Sequence, residues 1–165
     1  MSDLRELQAM LDRAAREIPQ LLPAIVGVEG KNFIEKNFRD QGFNDVGRDA
    51  WPERQLTDSR GRDITRYRSN RTGRQGNLNR YGSKNQDRAI LVGHNTGGDK
   101  LKNSFHYRAS SNYSVVTFFT HKEYAERHNE GKDGMPKRQF IGPSRYLENK
   151  IKAKLTRALD QRLRR

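Results

Sequence analysis

A chain of 165 residues with 32% hydrophobic side chains and a mean hydropathy of -1.09 is lean for its length, so a single domain with appendages outside its core is expected rather than two independent domains. No cysteine is present, which excludes a disulfide framework, a thiolate zinc site and a thiol nucleophile. Formal net charge is +13 and the sequence pI about 10.3, a balance that favours polyanionic partners through phosphate neutralisation.

The first residues, MSDLRELQAM, alternate charged and apolar side chains without a continuous apolar run, so neither a secretory signal nor a membrane span is read there and a cytoplasmic start is expected. Leu4, Leu7, Leu11, Ala14, Ile18 and the Leu21-Leu22 pair recur at steps of three and four, with Ser2 or Asp3 placed to cap, which predicts an amphipathic helix. Pro19 and Pro23 interrupt that pattern, since each lacks a backbone donor. A second helical stretch with Ile25, Val28, Ile34 and Phe38 runs to about Asp40, and Gly27 and Gly30 weaken it by roughly 1 kcal/mol each against alanine. Residues 1–41 are therefore expected as a kinked helix pair or one bent helix, ended by Gln41-Gly42-Phe43-Asn44.

Between residues 52 and 88 the character changes. Gly61, Gly73, Gly76 and Gly82 stand among many Arg, Asn, Ser and Asp, with few apolar residues to offset an ordering cost of about 1–2 kcal/mol per residue. A flexible basic arm or long loop is predicted, with room for two short helical or hairpin pieces.

From 89 to 142 an antiparallel sheet with a short helix is expected. Ala89-Ile90-Leu91-Val92 reads as a strand stopped by Gly93, and Asp99 to Asn103 as one helical turn. Residues 104–108 and 113–119 read as a hairpin, Lys122–Asn129 as a helix closed by Gly131 and Gly134, and Arg138-Gln139-Phe140-Ile141 as a returning strand. Ser144 can cap a final helix over 144–165, with Leu147, Ile151, Leu155, Leu159 and Leu163 at steps of four and basic residues on its other face. The fold class is α+β: N-terminal helices packed on a small antiparallel sheet, a long basic arm and a C-terminal helix.

The positive charge is uneven. Residues 1–50 hold 7 basic and 9 acidic side chains, residues 51–100 hold 11 and 5, and residues 101–165 hold 15 and 6. Arginines 60, 62, 66, 68, 71, 74 and 80, interleaved with Tyr67 and Tyr81, suit either an arm that meets phosphates and stacks on bases or one that pairs with carboxylates of a neighbouring subunit.

Chemistry is sparse. The four histidines, His94, His106, His121 and His128, lack metal-ligand spacing, since His121 and His128 lie about 10 Å apart along a helix. The GHNTGGD stretch lacks the lysine and hydroxyl of a nucleotide loop and reads as a turn, and no nucleophile elbow or acidic cluster for a nuclease is found. No catalytic, cofactor or metal site is expected, and the chain is read as not an enzyme.

Four short motifs recur in order. "FRDQGFNDVGRDAWPER" with Phe38 and Trp51 is similar to an F…G…W element of phage virion morphogenesis and tail-completion proteins. "ILVGHNTGGDKLKNSF" resembles that family's IL…TG.L..S stretch, with Leu101 and Ser104 in the matching places, and "YAERHNEG" and "PKRQFIGPS" resemble its YA..H..G and P.R.F.G.S motifs. Coverage runs from about residue 25 to the C-terminus, and the region between Trp51 and Ile90 is longer and richer in arginine than the family pattern.

This resemblance implies a structural protein, without catalysis or cofactor, that completes the tail or joins tail to head during virion assembly. It implies a ring of identical copies, with neck, connector or tail proteins as neighbours and non-specific contact with packaged DNA. The implied location is the bacterial host cytoplasm during assembly and then the virion, with no membrane. Phe38, Trp51, Leu101, Ser104, Tyr124, Gly131 and Phe140 are the fold-keeping residues, Tyr124-Ala125 packing a small helix on the sheet, and Arg66, Arg68, Arg71, Arg74 and Arg80 the ones that face DNA or an assembly partner. The alternative, carried by charge alone, is a free-standing basic nucleic-acid-binding protein.

Overall fold

A computed structural model describes residues 2–65, 67, 77–85, 88–92, 98–110 and 115–163. Helix α1, Ser2–Asp40, is one continuous element of 39 residues, about 58 Å long, so of the two alternatives expected it is the single helix and not the pair. Pro19 and Pro23 are four apart, so the two missing donors fall on one side of the helix, and the row of apolar side chains packed on the C-terminal helix outweighs their local cost.

Gln41 ends α1 in the left-handed conformation, φ 53°, and its amide Nε2 returns to the Phe38 carbonyl at 2.6 Å. Strands β1, Gly42–Asn44, and β2, Arg48–Ala50, then form an antiparallel hairpin that periodicity does not reveal. Beyond it lie an isolated bridge between Thr57 and Asp63 and the six-residue helix α2, Arg80–Asn85. Among its described residues the predicted 52–88 arm thus holds a hairpin-like turn between Leu56 and Ile64 and one short helix.

Ala89–Val92 is not a strand. The Gln41 side chain takes both backbone groups of Ile90, accepting its N–H at Oε1 and donating from Nε2 to its carbonyl, and Leu91 turns the chain with φ 58°. After a 3-10 turn at Leu101–Asn103, strands β3, His106–Ala109, and β4, Val116–Phe119, make the expected hairpin, with His106 opposite Phe119 and Ala109 opposite Val116. Helix α3 is Tyr124–Glu130 and helix α4 is Arg145–Leu163. The architecture is α+β, with its strands in two separate two-stranded sheets.

The β3-β4 hairpin rests on α1 at Gly27 and Gly30. A Cβ at Gly27 would fall inside the Tyr107 ring, and one at Gly30 inside the Phe118 ring. These glycines, costly to the helix by propensity, open its backbone to two aromatic side chains.

Residues 138–141 are not a strand either. Asn129 Oδ1 accepts the N–H groups of Phe140 and Ile141, each at 3.0 Å, the Phe140 carbonyl accepts from Asn37 Nδ2 at 3.1 Å, and the Gln139 carbonyl accepts from Trp51 Nε1 at 2.7 Å. With four of its backbone groups taken by side chains and the Arg138 N–H by the His128 carbonyl, the segment does not pair as a strand. Arg138 fixes the entry by donating to the carbonyls of Pro52 and Glu53 at 3.1 and 3.0 Å.

Ser144 caps α4 as predicted, accepting from Leu147 N at 3.2 Å while its hydroxyl donates to Asn44 O at 2.8 Å. Helix α4 lies antiparallel along α1, since Lys154 pairs with Glu29 and, further along α4, Arg162 pairs with the earlier Glu17. No helix among the described residues is long and apolar enough to cross a membrane.

Candidate functional site

The motif residues separate into two groups. Phe38, Trp51, Leu101 and Phe140 are buried in one cluster with Ile34, Phe105 and Ala125, and Ile90, Leu91, Phe118 and Ile141 pack around it. The Phe38 ring lies 5.3 Å from Trp51, edge on, and 5.3 Å from Phe140, stacked. Ser104 is buried at the rim, its hydroxyl 2.8 Å from the Leu101 carbonyl and 2.5 Å from Thr120 Oγ1. Gly131 stops α3 with φ 74°, its N–H returning to the Arg127 carbonyl at 2.9 Å.

Tyr124 is a correction. It is 42% exposed, with its ring edge-on to His128 at 6.0 Å, so Ala125 packs α3 onto the core and Tyr124 does not. Its position as first residue of α3 points the ring outward, one helical step from the buried Ala125.

Arg80 is exposed at the start of α2. Arg66, Arg68, Arg71 and Arg74 lie outside the described residues, as do His94 and most of the GHNTGGD stretch. Of the flanking arginines, Arg62 is committed to Asp58 at 2.7 Å, where the backbone and side-chain N–H groups of Arg62 hold the Asp58 carboxyl below the usual range. Asp99, at the end of that glycine-rich stretch, pairs with Lys122 at 2.6 Å and with His121 at 3.5 Å. Among the described residues no group of three or more metal-donor side chains converges.

Sequence reasoning passed over Asn37. It has no exposed surface, and its Oδ1 accepts from Asn44 N at 3.0 Å and Asn44 Nδ2 at 2.8 Å while its Nδ2 holds Phe140. A polar residue set between Ile34 and Phe38 on the apolar side of a helix is the signal that marks it.

Two surfaces remain open. At the N-terminal end of α1, Leu4, Leu7, Met10 and Leu11 are exposed, Leu4 to 74%, and the last described residue of α4, Leu163, reaches only the groove beside Leu7 and Met10. The α1-α4 seam therefore continues as an apolar row that no other described residue covers.

The second surface is the outer side of α4. Its inward cations are neutralised by α1: Lys154 Nζ stands 2.8 Å from Glu29 Oε1 as an ion pair outside hydrogen-bond geometry, and Arg162 pairs with Glu17. The side chains of Arg145, Lys150, Lys152 and Arg157 are exposed and form no salt bridge among the described residues, while the backbone N–H of Arg145 donates to Asp45 Oδ1 at 2.7 Å. Tyr146, stacked on Phe33 at 6.3 Å, carries the ammonium groups of both Lys36 and Lys150, 5.5 and 5.6 Å from its ring centroid. No family model, curated protein or solved structure matches the chain.

Proposed function

We propose that this chain is a structural protein of a tailed bacteriophage, which completes the tail or joins tail to head and works without catalysis as a ring of identical copies. The observation that carries this reading is the convergence of the motif residues. Phe38, Trp51, Leu101 and Phe140 come from three of the four stretches that resemble virion morphogenesis and tail-completion proteins, and they meet in one core. Residues shared in order for the sake of a fold are expected to meet in that way.

The apolar row at the start of α1 supports assembly, since a row of exposed leucines continuing an internal helix seam is a surface that association covers. Neck, connector or tail proteins are the proposed neighbours, and the route runs from host cytoplasm to virion.

The test is removal of the gene from the genome that encodes it, followed by electron microscopy of the particles. Heads and tails that fail to join, or tails that lack their end, are expected, with restoration by the wild-type gene in trans. A variant carrying Arg66→Ala, Arg68→Ala, Arg71→Ala and Arg74→Ala is expected to fold and yet restore poorly. Particles of normal form and yield without the gene would overturn the reading.

A further inference from the structure

The cations of α4 are sorted by α1. Two acids of α1, Glu17 and Glu29, neutralise the cations that face it, so the charge left on α4 points outward. Along the outer side, Asn149, Ala153 and Thr156 are exposed and spaced by four and three, which sets them in one strip along the helix. Arg145 and Lys152, seven residues apart, flank the strip on one side, and Lys150 and Arg157, also seven apart, flank it on the other. Seven residues amount to about 10.5 Å of rise, so each flank is a row running with the axis. The acids on the same helix, Glu148 and Asp160, lie off the strip and at its far end respectively.

A polar, nearly uncharged strip between two cationic rows suits a helix lying in a channel whose two walls are negative and whose floor is not. The major groove of duplex DNA is such a channel. It is about 12 Å wide, admits a helix about 10–12 Å across, and is walled by the phosphates of both strands. Arg157 and Arg145 bring forked donors that match phosphate oxygens, and Lys150 is held in place over Tyr146.

We propose that the outer face of α4 binds the sugar-phosphate walls of duplex DNA, without sequence selection, through Arg145, Lys150, Lys152 and Arg157. The inference does not rest on the assembly reading, because it is measured on the purified protein.

The experiment is titration of a fluorescein-labelled duplex of about 30 base pairs with the full chain, followed by fluorescence anisotropy from roughly 50 to roughly 200 mM salt. Three proteins are compared: wild type, an outer variant (Arg145→Gln, Lys150→Gln, Lys152→Gln, Arg157→Gln) and an inner variant (Lys154→Gln, Arg162→Gln). At about 0.9 per phosphate contacted, the outer variant is expected to lose about 3.6 from the slope of log affinity against log salt, worth on the order of a hundredfold across that range.

The inner variant is expected to stay close to wild type, and Lys150→Arg with Lys152→Arg is expected to retain binding even if the glutamine variant folds poorly by circular dichroism. The proposal is overturned if the outer variant keeps the wild-type slope, if the inner variant loses as much, or if wild type binds polyglutamate more tightly than duplex at equal charge. Loss of virion assembly on gene removal, tested separately, leaves this outcome untouched.

Discussion

Asn37 on α1 and Phe140, 103 residues later, are joined by a hydrogen bond of 3.1 Å from the Asn37 carboxamide to the Phe140 carbonyl, with the asparagine shut off from solvent. Its other side, Oδ1, serves Asn44, so one side chain closes α1, β1 and the segment before α4 onto one another. Asn37→Leu leaves the Phe140 carbonyl and the Asn44 N–H unpaired. A loss of about 2–6 kcal/mol is expected, at about 1–3 kcal/mol for each of the two unsatisfied groups, and urea denaturation measures it. Asn37→Asp, which keeps the acceptor but sets a buried carboxylate against the Phe140 carbonyl, is expected to cost at least as much.

Gly27→Ala and Gly30→Ala separate propensity from packing. In an isolated helix each would add about 1 kcal/mol of stability. Here each Cβ meets an aromatic ring, so a loss of about 1–3 kcal/mol is expected from overpacking. Combining Gly27→Ala with Tyr107→Ala frees the space, and the double mutant is expected to be more stable than the sum of the single effects predicts. Purely additive effects would show that the ring is not what Gly27 accommodates.

Trp51 is the only tryptophan, it is buried, and its Nε1 donates to Gln139 at 2.7 Å. Its fluorescence should be blue-shifted when folded and report the same transition as helical circular dichroism. Trp51→Phe keeps a ring against Phe38 and loses the donor, with an expected cost of about 1–3 kcal/mol. Trp51→Ala is expected to cost about 3–5 kcal/mol.

His128 should make stability fall in mild acid. Burial, and after it the neighbouring Arg138 charge, lower its pKa from the ordinary 6.5, and its Nδ1 is buried without a hydrogen-bond partner among the described residues. Below pH about 6.5 the unfolded chain takes up a proton that the folded chain resists, so stability is full above that value and falls as pH drops toward the lower folded pKa. Thermal melts between about pH 8 and about pH 5 should show that slope in wild type and a shallower one in His128→Gln. Equal slopes would assign the effect to other groups.

If the protein forms a ring, the leucine row is where copies would meet. Leu4→Gln, Leu7→Gln and Leu11→Gln together are expected to lower self-association by sedimentation while the melting transition of the protomer stays near wild type, since these side chains are exposed. A fall in protomer stability with unchanged association would place the row in folding instead.

Much of this architecture was legible in local pattern. The i, i+4 ladder from Leu147 to Leu163 with Ser144 before it predicted α4, Gly131 marked the end of α3, and the β-type runs around Tyr107 and Phe118 predicted the hairpin. Ile90 and Phe140 misled for one shared reason. Strand-like composition was read as ladder pairing, but the partners are the side chains of Gln41, Asn37, Asn129 and Trp51, and no local pattern announces a side chain from 49 or 103 residues away. On α4 the density of cations was visible in the sequence. Which of them Glu17 and Glu29 would silence was not, because that depends on the register of two helices distant in the chain.

The bond between α1 and residue 140 also orders events in time. Synthesis delivers α1 first, yet the residues that cover it, Phe105, Phe140 and the whole of α4, come from the last two fifths of the chain. Trp51 can reach Phe38 early, but closing the long loops that bring up the rest of the cover is slow, and much of the apolar side of α1 stays bare in the interval. A nascent chain halted before Asn129 therefore has no native state to reach, and the vulnerable species for aggregation is the incomplete polypeptide on the ribosome rather than the finished protein.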